Sequence, residues 1–309
     1  MELTPLKLHP AYKEYLWGGH RLRAAYHKED APEITAESWE LAQRPEGVSV
    51  VEGGTLAGRT LDDLAALDRE AFWGKNCADM REFPLLAKLI DARKDLSIQV
   101  HPSDETALRD RGEAGKAEMW YIVDCDENAG IYFGFAREIT AEEFRRRAED
   151  GTICEVLNRV PVKKGDAFFI LPGTIHAICR GIVVAEVQQS SNVTYRVCDY
   201  GRLGPDGKPR ALHIAQALDV TRRTAGVPTP DFGGHLARCD YFTVDLLAAP
   251  QAAPCGAESF LSLLILDGEG EVRCGGEAVR AKKGESLFLP AGSGEARLTG
   301  TLRALATRI

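Results

Sequence analysis

Four residues near the middle of the chain carry side chains able to hold a divalent metal: Gln99, His101, Glu118 and His176. Two imidazoles, a carboxylate and a carboxamide oxygen make an N₂O₂ donor set. Such a set suits Zn²⁺ and leaves room for water or a substrate oxygen. Singly, each residue has an ordinary explanation: a strand histidine is commonly a core or surface residue, and glutamine is a rare ligand. Their weight lies in convergence, because a site forms only if the fold brings all four face to face.

The elements that must position them are strands. Leu96-Ser97-Ile98-Gln99-Val100-His101 alternates with period two, which puts Ser97, Gln99 and His101 on one face. Glu118 opens the next predicted strand, Met119 to Asp124, and His176 follows the turn Leu171-Pro172-Gly173-Thr174-Ile175. Ala167 to Leu171, Ile182 to Gln188 and Phe260 to Leu266 are further short runs bounded by turn residues. Many short strands of this kind predict a mainly β jelly-roll barrel with helical insertions. Inward residues of neighbouring strands then share one cavity.

Helices are few and short. Thr60 caps one running through Leu61, Leu64 and Leu67, and Ser103-Asp104-Glu105 opens another. Thr140-Ala141-Glu142-Glu143 forms a capping box, and Gly151 ends that helix. A last helix is expected from Ala211 to Thr221, with Leu212, Ala215 and Leu218 inward. These place helical insertions at about 55–95, 103–115 and 138–160.

An internal echo predicts a second β module. Lys163-Lys164-Gly165-Asp166 leads through a strand to Pro172-Gly173, and Lys282-Lys283-Gly284-Glu285 leads likewise to Pro290-Ala291-Gly292. Three residues past the second glycine stands His176 in one copy and Glu295 in the other, so the second copy is expected to be metal-free. The predicted division is a barrel with its insertions over residues 1–225 and a smaller β domain over 226–309. The boundary falls at the turn-rich Gly226-Val227-Pro228-Thr229-Pro230.

Bulk properties narrow the partners. The net charge of -8 argues against a general nucleic-acid binder, whose affinity needs clustered Lys and Arg. One or two basic residues still suffice for a small anionic ligand. No run approaches the roughly 20 apolar residues of a membrane span. The Met1-Glu2-Leu3-Thr4-Pro5 start lacks a basic flank before an apolar run. The eight cysteines include no C-x-x-C pair, which fits reduced thiols and a cytoplasmic protein.

Three segments together resemble a known family. Gln99-Val100-His101-Pro102, Gly115-Lys116-Ala117-Glu118-Met119-Trp120-Tyr121 and Pro172-Gly173-Thr174-Ile175-His176-Ala177 are similar to the metal-site motifs of type I mannose-6-phosphate isomerases, which are cupins. The stretch from Glu186 through Gln188-Gln189-Ser190-Ser191 to Arg196 resembles the family segment that ends in an essential arginine. Trp17-Gly18-Gly19 and Glu37-Ser38-Trp39-Glu40 resemble its N-terminal landmarks, and the short length resembles the compact bacterial form.

The resemblance implies one Zn²⁺ on Gln99, His101, Glu118 and His176, Arg196 at the active site, and Lys116 near substrate. It implies interconversion of D-mannose 6-phosphate and D-fructose 6-phosphate through an enediolate. Gly115-Lys116-Ala117-Glu118 departs from the His-Lys-Pro-Glu of longer members, so a histidine base at that spot cannot be carried over. Lys116 and Glu186 remain the candidates for moving the proton. Two other readings start from the same residues. Two histidines and a carboxylate also serve Fe(II) cupin oxygenases, although a fourth ligand at Gln99 occupies a position such chemistry prefers open. A non-catalytic sugar-phosphate-binding regulatory cupin is the other.

Overall fold

A computed structural model of the chain describes residues 4–204, 206–228 and 230–309. The Met1-Glu2-Leu3 start and Thr229 of the turn-rich stretch lie outside the described residues. The chain divides into two compact units, one made of Tyr15–Gly19 with Ile90–Pro230, the other of Met1–Glu14, His20–Leu89 and Asp231–Ile309. A single break at 225/226 does not describe this division. The Leu6–His9 strand pairs with Ser286–Leu289, so chain from the beginning completes the sheet of the C-terminal module.

The unit holding the candidate residues contains a five-stranded antiparallel sheet. Its order is Leu157–Pro161, Gly130–Phe135, His176–Ile178, Ile98–Val100, Tyr195–Cys198. Three further strands of the unit, Ala167–Ile170, Glu118–Cys125 and Ile182–Gln189, pair antiparallel in a second sheet. Alternation sorts the first sheet into two chemistries. Ile98, Val100, Ala177, Tyr195 and Val197 join an apolar cluster with Phe144, Ala148 and Ala217 of flanking helices. The residues between them (Gln99, His176 and Arg196) therefore face the other way. Ile98 and Val100 are fully buried, each contributing about 1.5–3 kcal/mol of transfer free energy. A slip of one residue would forfeit that and push Gln99 into the apolar cluster, which fixes the register.

Two helices, Leu61–Trp73 and Ala141–Glu149, begin at threonine side-chain caps, Thr60 and Thr140. Thr60 and Asp63 form a reciprocal capping box at the start of Leu61–Trp73. Leu61 and Leu64 are buried, but Leu67 is 52% exposed, because Asp68 takes an extended conformation and kinks the helix. The Asp68 carboxylate then accepts from Ala71 N at 3.0 Å and caps the second segment. The last helix is Ile214–Val220, shorter than expected. Ala217 is its buried residue, whereas Leu212 and Ala215 are exposed. Ala211 stays outside the helix because its carbonyl accepts from the Arg196 guanidinium at 2.9 Å.

The internal echo is structural as well. In the first module Lys163 N donates to Asp166 at 2.9 Å and Gly165 N to Ile122 O at 2.9 Å. In the second, Lys282 N donates to Glu285 at 2.9 Å and Gly284 N to Ile265 O at 2.8 Å. The C-terminal copy packs its own core, including Leu261, Leu263, Ile265, Leu287 and Leu289. Glu295 there is half-exposed and pairs with Arg297, while the His–Glu–His grouping is confined, among the described residues, to the first copy.

Candidate metal centre

Two rows of side chains define the site. Across the five-stranded sheet, Phe133, His176, Gln99 and Arg196 stand directly opposite one another on successive strands. In the second sheet, Glu118 stands between Ile170 and Gln188, and Trp120 between Phe168 and Glu186. Directly opposed residues project to the same face. His101 lies just past the end of its strand, where Gly173 N donates to its carbonyl at 2.8 Å. Gly173 has φ 84°, and a Cβ there would meet Val220 O at 2.8 Å, so the turn that delivers His176 requires glycine.

Both imidazoles are locked by main-chain carbonyls. His101 Nδ1 lies 2.9 Å from Val193 O, and His176 Nδ1 lies 2.9 Å from Thr174 O. A carbonyl only accepts, so each Nδ1 carries the proton and each Nε2 keeps its lone pair. His101 Nε2 lies 3.4 Å from Glu118 Oε1, and His176 Nε2 lies 3.6 Å from Glu118 Oε2. All three ligand atoms fall within 4.8 Å of one another, and all three residues are buried.

The local electrostatics agree with metal binding. Burial pulls both imidazoles toward the neutral form: His101 falls from 6.5 to about 4, with the Lys116 ammonium adding to the effect, and His176 is lowered too. Burial alone would raise the Glu118 carboxyl, but the Lys116 ammonium beside it outweighs this and holds it well below the usual range. Neutral imidazoles and an ionised carboxylate are the protonation states a metal needs. His176 Nε2 and Glu118 Oε2 have no hydrogen-bond partner among the described residues although both are buried. Two acceptors facing each other away from water are costly, and a cation between them removes the cost. The set fits a divalent ion.

The remaining candidates surround this trio. Lys116 is buried; its ammonium pairs with Glu118 and lies 3.4 Å from His101 Nε2. Gln99 is half-buried and shares the His176 face by register. Glu186 is buried and accepts from the indole N–H of Trp120 at 2.8 Å, and the Trp120 ring stands edge-on to His176 at 5.2 Å. Arg196 neighbours Gln99 by register. Its guanidinium is lowered in pKa by burial and then by Arg210. Asp199 meanwhile holds both Arg202 and Arg210 at 2.5 Å.

The profile of the phosphomannose isomerase type I catalytic domain matches residues 5–129, and that of the mannose-6-phosphate isomerase cupin domain matches 234–309. A probable mannose-6-phosphate isomerase of Bacillus subtilis is 39% identical over 308 residues, covering 96% of each chain. The chain belongs to the type I phosphomannose isomerase family. A mannose-6-phosphate isomerase of Streptococcus mutans is 38% identical over 302 residues, with 93% of this chain and 92% of that one covered. The crystal structure of the mannose 6-phosphate isomerase from Bacillus subtilis superposes with a TM-score of 0.89 at 35% identity, over 99% of this chain and 100% of that one. Both β modules are thus cupins of an isomerase family.

Within the family match, Gln99, His101, Lys116 and Glu118 lie inside the catalytic-domain segment, whereas His176, Glu186 and Arg196 lie between the two matched segments. Sequence reasoning missed the carbonyls of Thr174 and Val193, which carry no residue signature. It gave no role to Trp120, whose bond to Glu186 has no sequence signature. It also passed over Gln188, although alternation from Glu186 along one strand already puts Gln188 on the same face.

Proposed function

We propose that the chain interconverts D-mannose 6-phosphate and D-fructose 6-phosphate, using one Zn²⁺ held by Gln99, His101, Glu118 and His176. The observation that carries this reading is the pair of locked imidazoles whose Nε2 atoms converge on the two oxygens of Glu118. Zn²⁺ bound there supplies a redox-inert Lewis acid for a reaction with no net oxidation.

The chain's own groups do the rest. A proton leaves the carbon beside the sugar carbonyl and returns to its neighbour, and negative charge builds on a sugar oxygen in the enediolate. Arg196, a permanent cation with a planar fork, stabilises that charge or holds the phosphate. Lys116 and Glu186, both buried, are the candidates for moving the proton, and the choice between them is open to kinetic test. Arg196, Gln99 and His176 share one sheet face by register, which supports a common cavity for sugar and cation.

The relatives' names favour this reading over the iron oxygenase and the regulatory binder, which share only the His–Glu–His set. Eight free cysteines accord with a reducing cytoplasmic setting. No helix among the described residues is long and apolar enough to cross a membrane. The deciding experiment is a coupled assay for fructose 6-phosphate formed from mannose 6-phosphate, run before and after chelation. Turnover that disappears with the metal and returns with Zn²⁺ is expected; full activity in a metal-stripped sample would refute the zinc assignment.

A further inference from the structure

One buried acceptor belongs neither to the proposed ligand set nor to the charged groups around it. Gln188 is fully buried. Its amide nitrogen donates to Gln189 O at 2.7 Å and to Ser191 O at 2.9 Å. Both partners only accept, so the orientation of the amide is fixed: turned over, it would set its oxygen against two carbonyls. The oxygen at the other end, Oε1, has no hydrogen-bond partner among the described residues.

The strand register says which face this oxygen serves. Gln188 stands directly opposite Glu118, and two residues earlier Glu186 stands opposite Trp120. Glu118 reaches both histidines, and Trp120 bonds Glu186 while presenting its ring edge to His176. Gln188 therefore shares the face that carries the metal set. A carbonyl oxygen repels phosphate oxygens and attracts O–H donors. A hexose phosphate brings several hydroxyls and only one anionic end, so the match is to a sugar hydroxyl.

We infer that Gln188 Oε1 accepts a hydrogen bond from a sugar hydroxyl of the hexose phosphate, making Gln188 a substrate-positioning residue. The inference rests on the isomerase reading above. Because the amide is held by main chain at its nitrogen end, the acceptor is set before substrate arrives and needs no reordering on binding.

The test uses Gln188→Met, which keeps length and removes the acceptor, with mannitol 6-phosphate as a non-reacting probe. The variant is expected to retain full metal content and to bind the probe about three- to tenfold more weakly, the worth of one neutral hydrogen bond. On the unmodified protein, 3-deoxy- or 4-deoxymannose 6-phosphate is expected to lose a similar factor in kcat/KM. The responsible deoxy compound then loses nothing further in Gln188→Met. Additive losses, or undiminished probe binding, overturn the inference. Loss of metal from the variant also overturns it, by assigning the oxygen to the cation. If the variant does not fold, the deoxy compounds still decide, since neither being impaired removes the need for any such acceptor. Unmodified protein that fails to convert mannose 6-phosphate sinks the isomerase reading itself, whereas an active enzyme indifferent to Gln188 sinks only this inference.

Discussion

Trp120 bonds Glu186 through its indole N–H at 2.8 Å and at the same time presents its ring edge to His176 at 5.2 Å. One side chain thus couples a buried carboxylate on one strand to an imidazole of the metal set. Trp120→Phe keeps most of the ring and deletes the donor. It is expected to cost about 1–3 kcal/mol of stability, the range for breaking a hydrogen bond to a buried carboxylate. Thermal unfolding of metal-loaded protein measures it, and an unchanged midpoint would show that the bond contributes nothing.

Removing one imidazole should leave the proposed ligand set short of one of its two nitrogen donors. His176→Ala is expected to drop bound metal well below one ion per chain. It should also abolish the rise in melting temperature that added Zn²⁺ gives the unmodified protein. With metal at 100 times its dissociation constant that rise corresponds to about 2.7 kcal/mol. Metal analysis of the purified variant, paired with melting curves with and without Zn²⁺, gives the answer; stoichiometric metal would exclude His176 as a ligand.

Arg196→Ala separates catalysis from folding. Among the described residues the guanidinium donates to the Ala211 carbonyl, while the Arg196 main chain keeps its exchange with His213. Turnover is expected to fall on the order of 10²–10³-fold, typical of losing one charge-stabilising group, with a melting temperature within a few degrees of the parent. Arg196→Lys is expected to rescue little, since a point charge cannot reproduce the planar fork. Parallel kinetics and melting of the two variants distinguish this from a structural role, which would move both quantities together.

Acid sensitivity has a contributor outside the His–Glu–His set. Arg137 and then Arg147 hold the Glu143 carboxyl down at about 2 from its ordinary 4.5. A depressed carboxylate adds stability that is complete above pH 4.5 and disappears as pH falls toward about 2. Glu143→Gln is therefore expected to lower stability at neutral pH and to flatten its decline across that window, with high salt narrowing the difference. Melting curves of chelated parent and variant between pH 2 and 6 test the slope; identical slopes would discount the clamp.

The sequence made the first module legible where period and donor chemistry coincide. Alternation around Gln99 predicted the face, and the Pro172-Gly173 turn predicted that His176 would be delivered by a tight bend; both hold. What alternation could not see is competition for main-chain groups. Ala211 leaves the last helix because Arg196 takes its carbonyl, and Leu67 turns outward because Asp68 breaks the helix to cap the next turn. One pairing stayed hidden for a topological reason: nothing in Leu6–His9 announces that its partner lies almost 280 residues further on, at Ser286–Leu289. Gln188 was readable in principle, yet an amide becomes informative only once its nitrogen is known to be engaged elsewhere.

The anchors of the two histidine rings are peptide oxygens at positions 174 and 193. Every amino acid brings the same oxygen, so point substitution at either position leaves the anchor's chemistry intact. What the arrangement does not tolerate is a change in chain length. Inserting or deleting one residue between 171 and 176, or beside 193, would carry the oxygen out of reach and free the ring to spin or change tautomer. Substitution at 174 or 193 can therefore leave each anchor in place, while the spacing of both loops, and Gly173 in the first, are held fixed by the rings they aim.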